Sequence, residues 1–307
     1  MTDGRIQLSE EQIARYNEDG FLVVENLLDP ELVERAVDRV DHLFAGEFET
    51  GVYPDEWHWT PNLGLPNAAR QMTGSWKSDL TMASIILSPE MGQISATLRG
   101  WSGARFLVDA LWLKPYGATE TALHQDAMYI NYNEPAGEVA VCWIALSDAV
   151  PGAGTIEYVR GSHKWQLSKT ISEFHAPSKG YHWDMEQAAK QAGVDRPEVV
   201  QLNLPAGSCV FHHGKTWHGS GGNYIAGKTR RSLVVVTVPD DATFKSVETY
   251  YVPGGYIVGR YKRFGDNLMD ESFFPILWTK NGYRTPFLNS YYESAQQNKQ
   301  VPVAAAI

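Results

Sequence analysis

The 307 residues are 43% hydrophobic and 20% charged, a balance that buries a full core without disulfide or metal staples. The formal charge of −10 comes without clustered Lys or Arg, which argues against a nucleic-acid backbone as the main partner, and no apolar run approaches the about 20 residues of a membrane span. The polar start MTDGRIQLSEE carries no secretory apolar segment, and Cys142 and Cys209 each sit in an apolar run as small core residues, so a reducing, cytoplasmic setting is expected.

In chain order, Ser9 is placed to cap a helix whose third residue is Gln12, the pattern of a capping box, and Gly20 closes it. Asp29-Pro30 opens a second helix, on which Leu32, Val33, Ala36, Val37, Val40, Leu43 and Phe44 form one apolar stripe. From Gly51 to about Gly74 the chain is rich in Trp, Pro, Asn and Gly without a period and reads as a long ordered loop, a common place for pocket walls. The character then changes. Short β-branched and aromatic runs, Phe106 to Lys114, Glu138 to Leu146, Thr155 to Val159, Val199 to Leu204, Ser208 to His212 and Ser232 to Val238, are broken by turns such as Pro151-Gly152-Ala153-Gly154 and Pro205-Ala206-Gly207. Glu186 to Ala192 reads as a short inserted helix, and 296–307 as a frayed tail. These elements predict a mainly β fold with flanking α-helices, a sandwich or jelly roll.

His124-Gln125-Asp126 sets an imidazole and a carboxylate two residues apart, and residues i and i+2 of an extended strand share a face, so the pair can share one ion. Such a pair also arises by chance on many surfaces. His218, much later and in or at the edge of another strand, adds a second imidazole within Thr216-Trp217-His218-Gly219-Ser220-Gly221. Two imidazoles and one carboxylate leave positions open on an octahedral ion, the arrangement that suits a non-haem iron activating oxygen. A structural zinc would be closed by four protein ligands, thiolates among them, and no suitably spaced cysteine set exists. His212 and His213 compete with His218 for the distal place.

With these residues assembled, the chain resembles the phytanoyl-CoA dioxygenase family of iron(II)- and 2-oxoglutarate-dependent oxygenases, in blocks that follow one another in the right order. Tyr16-Asn17-Glu18-Asp19-Gly20-Phe21-Leu22-Val23 is similar to the family's N-terminal signature. Leu113-Lys114-Pro115-Tyr116-Gly117, leading to His124-Gln125-Asp126, resembles its first metal block. Gly154-Thr155-Ile156-Glu157-Tyr158-Val159-Arg160-Gly161-Ser162-His163 resembles a turn usually written Pro-Gly-Ser-His, with Arg160 in place of the proline. Ala206-Gly207-Ser208 through His218-Gly219-Ser220-Gly221 to Arg230 is similar to the second metal block.

The resemblance implies a double-stranded β-helix, a cupin-like jelly roll with its active site in the barrel mouth. It implies one oxygenase domain over 1–295, with a helical flank over about 1–50, a core over about 100–240 and a C-terminal extension over about 241–295. By the same resemblance His124, Asp126 and His218 are the catalytic iron(II) ligands, His218 alone having the required Gly-Ser-Gly after it. The cosubstrates are then O2 and 2-oxoglutarate, the latter chelating the metal through its keto and C1-carboxylate oxygens. Its far carboxylate pairs with a late-strand arginine, whose planar fork suits a carboxylate. Arg230 matches that position; Arg231, its neighbour on a strand, faces the other side. Ser220 and Trp143 match positions that help hold the cosubstrate, although a turn serine and a core tryptophan would look the same, and Gln71 is a further candidate for the C1 carboxylate. His163 reads as structural, while His58, His175 and His182 are surface residues or substrate contacts.

The implied reaction is oxidative decarboxylation of 2-oxoglutarate to succinate and CO2, coupled to hydroxylation or another oxidation of a C–H bond in a small-molecule metabolite. Related halogenases carry Gly or Ala where this chain has Asp126, so hydroxylation is the default expectation. The aromatic stretch Trp57 to Trp76 and the run Phe273-Phe274-Pro275-Ile276-Leu277-Trp278 point to a partly apolar pocket. Two rival readings are a JmjC-like oxygenase of a protein side chain, which would need an open charged groove, and a non-catalytic jelly-roll protein whose metal is structural or absent.

Overall fold

The computed structural model describes residues 7–169, 171, 173–246 and 255–289, so the expected tail at 296–307 lies outside the described residues. Ser9 caps α1 (Glu10–Asp19) with the full reciprocal box: Gln12 N donates to Ser9 Oγ at 3.2 Å and Ser9 N to Gln12 Oε1 at 2.9 Å. Gly20 ends the helix at φ 86°, where a Cβ would also lie 2.4 Å from the His163 ring. Then come β1 (Phe21–Val24) and α2 (Pro30–Ala45), capped by Asp29, which accepts from Glu31 N at 2.9 Å. Val33, Ala36, Val40, Leu43 and Phe44 of the expected stripe are buried, with Leu32 and Val37 at its margin.

The stretch expected to be all loop contains two strands, β2 (Glu56–Trp57) and β3 (Arg70–Thr73). They are too short to show a period in sequence, and β3 exists because β4, far along the chain, offers it a ladder partner. Helices α3 (Ser75–Ser78), α4 (Leu80–Ile86) and α5 (Pro89–Arg99) complete the flank. The core strands are β4 (Gly103–Lys114), β5 (Thr121–His124), β6 (Asn133–Glu134), β7 (Ala140–Ala145) and β8 (Ile156–Val159). After α6 (Trp183–Gln191) follow β9 (Val199–Gln201), β10 (Cys209–His213), β11 (His218–Ser220), β12 (Arg230–Pro239) and β13 (Thr243–Phe244). The last described elements include α7 (Gly255–Gly259) and β14 (Ile276–Thr279).

Two antiparallel sheets face each other in a jelly roll. The larger has the order β1-β10-β7-β12-β4-β3-β2 with β14 also on β4; the smaller is β5-β11-β8-β9, and β6 and β13 form a separate ladder. Alternation along the strands of the larger sheet gives it two distinct faces. Its outer face sends Leu22, Ile144, Phe211, Leu233 and Leu111 into the main core beneath α2, α4 and α5. Cys142 and Cys209 lie in that core as free, buried thiols, the packing role expected of them. The inner face carries Phe21, Trp143 and Val210 against Ile156 and Tyr158 of the smaller sheet. No helix among the described residues is long and apolar enough to cross a membrane.

Candidate active site

β5 and β11 are neighbours in the smaller sheet, with His124 directly opposite His218. A Cβ on Gly219 would lie 2.8 Å from Thr121 O and 2.9 Å from Leu123 N, so the close approach of these strands depends on a glycine beside the imidazole. β5 stops at His124. Gln125 is still extended (φ −117°, ψ 126°) and turns its side chain away, donating to Lys215 O at 2.7 Å and accepting from Ser168 N at 2.9 Å. Asp126 opens a short 3-10 turn with its carboxylate on the same side as His124.

Asp126 Oδ1 is 3.5 Å from His124 Nε2 and Oδ2 is 3.5 Å from His218 Nε2. One ligand atom from each of the three residues lies within 4.8 Å of the others. The Nδ1 atoms sit 2.9 Å from backbone carbonyls, His124 from Ala122 O and His218 from Thr216 O. A carbonyl only accepts, so Nδ1 carries the proton in each ring and Nε2 keeps a lone pair facing Asp126. Burial pushes His218 down to about 3, against the pull of Asp126, and so keeps it neutral. Burial works to raise Asp126, but its histidine neighbours, among them the donor His212 Nε2, hold its carboxyl well below the usual carboxylate range. Two neutral imidazoles and an ionised carboxylate are the donor set a divalent ion needs.

His212 is not a fourth member of that group. Its Nε2 lies 2.9 Å from Asp126 Oδ2 and its Nδ1 3.0 Å from the Tyr158 hydroxyl, with both side chains buried. One neutral tautomer satisfies both contacts: Tyr158 O–H donates to Nδ1, and Nε2–H donates to the carboxylate. His213 instead holds its own turn, accepting from Lys215 N at 3.0 Å. Tyr158 had no signal in the sequence, because its partner lies 54 positions away on the other sheet.

Beside the triad opens a cavity of about 520 Å³ whose walls include Arg230, Ser220, Trp143 and Gln71. Arg230 is buried, donating from Nε to Gly154 O at 3.0 Å and from Nη1 to Ser232 Oγ at 2.5 Å. Its guanidinium lies 5.7 Å from the Trp143 ring centre. Desolvation lowers its pKa to about 10, with no carboxylate among the described residues offsetting it. Arg231 turns to the outer face, where it meets Asp41 at 2.8 and 3.1 Å. Opposite Arg230 in the β4–β12 ladder stands Lys114, 1% exposed, whose ammonium donates to Ser220 Oγ at 2.8 Å, Gly221 O at 3.0 Å and Thr121 Oγ1 at 3.3 Å. Lys114 was visible only as part of a motif; a lysine ending an apolar strand, on the face shared by Ala110 and Trp112, was the signal to follow.

The aromatic stretches serve the pocket less than expected. Trp57 packs on Gly46 and Phe48, Trp59 lies under the Arg70 guanidinium, and Trp76 is in the main core. Glu56, His58, Gln71 and Thr73 face the cavity from that segment instead. Phe273 to Trp278 does not line it either: Ile276–Thr279 pairs with β4, and Phe274 and Leu277 are core residues. The C-terminal extension contributes Ile257 and Val258, and the aromatic walls are Trp112, Tyr129, Tyr132, Trp143 and Phe174. Of the remaining histidines, His163 Nε2 donates to Asn17 O at 3.1 Å and His182 bonds buried Glu157 at 2.9 Å, both structural contacts. His175 packs tilted beside Trp112 and edge-to-face on Phe174, while His58 sits 3.1 Å from Glu56 at the cavity wall.

A family profile described as phytanoyl-CoA dioxygenase (PhyH) matches residues 16–232. The chain is 24% identical over 293 residues to phytanoyl-CoA dioxygenase domain-containing protein 1 of Bos taurus, a match covering 80% of this chain and 95% of that one. Among solved structures it is similar to the non-heme alpha ketoglutarate dependent carbocyclase SnoK from nogalamycin biosynthesis, with TM-score 0.66, 23% identity, and 88% of this chain and 96% of that one covered. EctD from S. alaskensis, solved with 2-oxoglutarate and 5-hydroxyectoine, gives TM-score 0.62 at 17% identity, covering 78% of each chain. These structural likenesses establish the double-stranded β-helix fold.

Proposed function

The chain belongs to the phytanoyl-CoA dioxygenase family, whose members are iron(II)- and 2-oxoglutarate-dependent oxygenases, and from that premise we propose how its own residues divide the work. His124, Asp126 and His218 hold the iron, and Arg230 binds the far carboxylate of 2-oxoglutarate. When bound, the metal would let O2 act as the four-electron oxidant, two electrons coming from 2-oxoglutarate, which leaves as succinate and CO2, and two from a C–H bond of a small-molecule metabolite. The observation that carries this reading is the convergence, in one cavity, of two Nε2 lone pairs and a carboxylate with a buried arginine that has no carboxylate partner among the described residues.

The chain's own residues bind, orient and exclude. Backbone carbonyls of Ala122 and Thr216 fix the ligand rings, and the Tyr158–His212 pair holds one carboxylate oxygen of Asp126. Lys114, across the ladder from Arg230, fixes Ser220. Trp143 supplies a flat wall against the guanidinium, and Trp112 and Phe174 keep water from the side near His124. Mostly apolar and aromatic walls suit a small molecule better than a protein side chain presented on a charged groove. We read flank, core and C-terminal extension as one domain, because β14 adds to β4 and Ile257 and Val258 complete the cavity.

The test is succinate formation by the purified protein with iron(II), 2-oxoglutarate and O2. Alanine at His124, Asp126 or His218 is expected to abolish it. Full iron-dependent activity in His218→Ala, with His212→Ala or His213→Ala inactive, would overturn the ligand assignment.

A further inference from the structure

Register places a second polar feature in the cavity, well away from the cosubstrate end. On β4, Lys114 faces Arg230 of β12, whereas Ala110 faces Thr73 of β3, and Thr73 in turn faces Glu56 of β2. Glu56, Thr73 and Ala110 therefore form one row across the inner wall, and all three line the cavity. Four residues along β4 and three strands across from Arg230 separate the two charges by roughly 15–20 Å at the backbone, at about 3.3 Å per residue and 4.8 Å per strand. A five-carbon diacid clamped at Arg230 does not span that distance.

Away from Arg230, the charges on the wall have one sign. Outside the metal triad, the charged side chains lining the cavity among the described residues are Arg230, Asp109 and Glu56, so Arg230 is the one Lys or Arg there. Asp109 is 0% exposed, and its Oδ2 accepts from Ser75 N and Oγ at 2.9 and 2.6 Å. Once Arg230 is engaged by 2-oxoglutarate, an incoming phosphate or carboxylate meets no lysine or arginine on these walls and loses its hydration without compensation. Glu56, its side chain 12% exposed, has the more exposed His58 as its side-chain neighbour, at 3.1 Å. Val108, two residues before Ala110 on β4, pairs with Val236 of β12, and both line the cavity together with Ile257 and Val258.

We propose that the cavity takes a compact, mainly apolar molecule carrying a basic nitrogen, which Glu56 anchors while the apolar walls hold its body, and that it rejects carboxylates and phosphorylated thioesters. The inference rests on the reading of Arg230 as the cosubstrate clamp. A charge-assisted hydrogen bond from an ammonium to a poorly hydrated carboxylate is strong enough to sort ligands of equal shape.

The test uses the anaerobic iron(II)–2-oxoglutarate complex and three probes of one shape: 1-naphthylmethylamine, 1-naphthylmethanol and 1-naphthoate, with palmitoyl-CoA as the phosphorylated thioester. Binding is read from the perturbation of the metal-to-ligand absorption band. The amine is expected to bind roughly 10-fold tighter than the alcohol, with naphthoate and the thioester weaker than both. Glu56→Gln is expected to erase the advantage of the amine while leaving the band and the 2-oxoglutarate requirement intact. No preference for the amine, including no binding of any probe, or a preference that survives Glu56→Gln, overturns the proposal. Failure of the band to form in the native protein would instead overturn the iron–2-oxoglutarate reading beneath it.

Discussion

Replacing Arg230 by Met is expected to move binding and stability in opposite directions, because the structure gives this residue a buried charge and no carboxylate of its own. It is 5% exposed, and its bonds to Gly154 O and Ser232 Oγ are to neutral groups. Burial lowers its pKa to about 10, so the fold already works against its charge. In the apo protein a methionine of similar reach relieves that desolvation, and the melting temperature is expected to hold or rise. With 2-oxoglutarate present the sign reverses. The buried far carboxylate loses its partner, a loss of about 3–5 kcal/mol, or on the order of 10²–10⁴-fold in apparent affinity. Arg231→Met is the control: its partner Asp41 is largely exposed, so the pair contributes under about 1 kcal/mol. Anaerobic titration of 2-oxoglutarate, followed by the metal-to-ligand absorption band and by thermal shift, measures both quantities. Equal losses in the two variants, or a larger loss in Lys114→Met than in Arg230→Met, would move the clamp off Arg230.

Two further outcomes follow from the same geometry. His212→Ala removes the donor to Asp126 Oδ2, and a ligand's outer partner of this kind is worth about 10–100-fold in metal affinity; anaerobic cobalt(II) titration by its d–d bands checks this, and unchanged affinity would reduce His212 to packing. Asp109, fully buried, is raised to about 6 by desolvation, opposed by its bonds from Ser75. The folded protein therefore holds that proton to higher pH than the unfolded chain does, so the contribution is full below about pH 4 and is lost as pH rises to about 6. Over that window it amounts to about 3 kcal/mol. Asp109→Asn keeps an acceptor for Ser75 and is expected to flatten the fall in denaturant stability between those pH values. An unchanged difference between pH 4 and pH 7 would show that Asp109 is ionised at no cost.

What the sequence made legible was local. The Ser9–Gln12 box, the Asp29-Pro30 start and the alternation behind the six expected strands all act within a few residues, and each of these elements formed with its ends trimmed or extended. The His124–Asp126 spacing was readable for the same reason, since it needs only one extended residue, Gln125, between the two. The facing of Arg230 and Arg231 followed from alternation alone, although a bulge at Val236/Thr237 shows how near a register shift lies. What stayed hidden was set by pairing across the chain: Tyr158 on His212, Lys114 on Ser220, and the row that brings Glu56 to the cavity.

The misplaced C-terminal aromatic run shows why such pairings resist sequence reasoning. The strand ending at Lys114 was expected to begin at Phe106. β4 in fact starts at Gly103, and its 12 residues leave one edge long enough for two partners: β3 takes Ala110 to Leu113, and β14 takes Gly103 to Arg105. The three extra residues, Gly103, Ala104 and Arg105, carry a glycine and a charge and so fall outside any β-branched or aromatic pattern. Arg105 is tolerated there because its guanidinium donates to Asp240 O at 2.9 Å and Met269 O at 2.7 Å, acceptors supplied by segments far along the chain. Once that edge exists, Ile276–Thr279 completes it, Leu277 is driven into the helical core, and the run is spent on holding β4 in place. Its effect on the site is therefore indirect, through the strand that positions Trp112 and Lys114 rather than through any surface of its own.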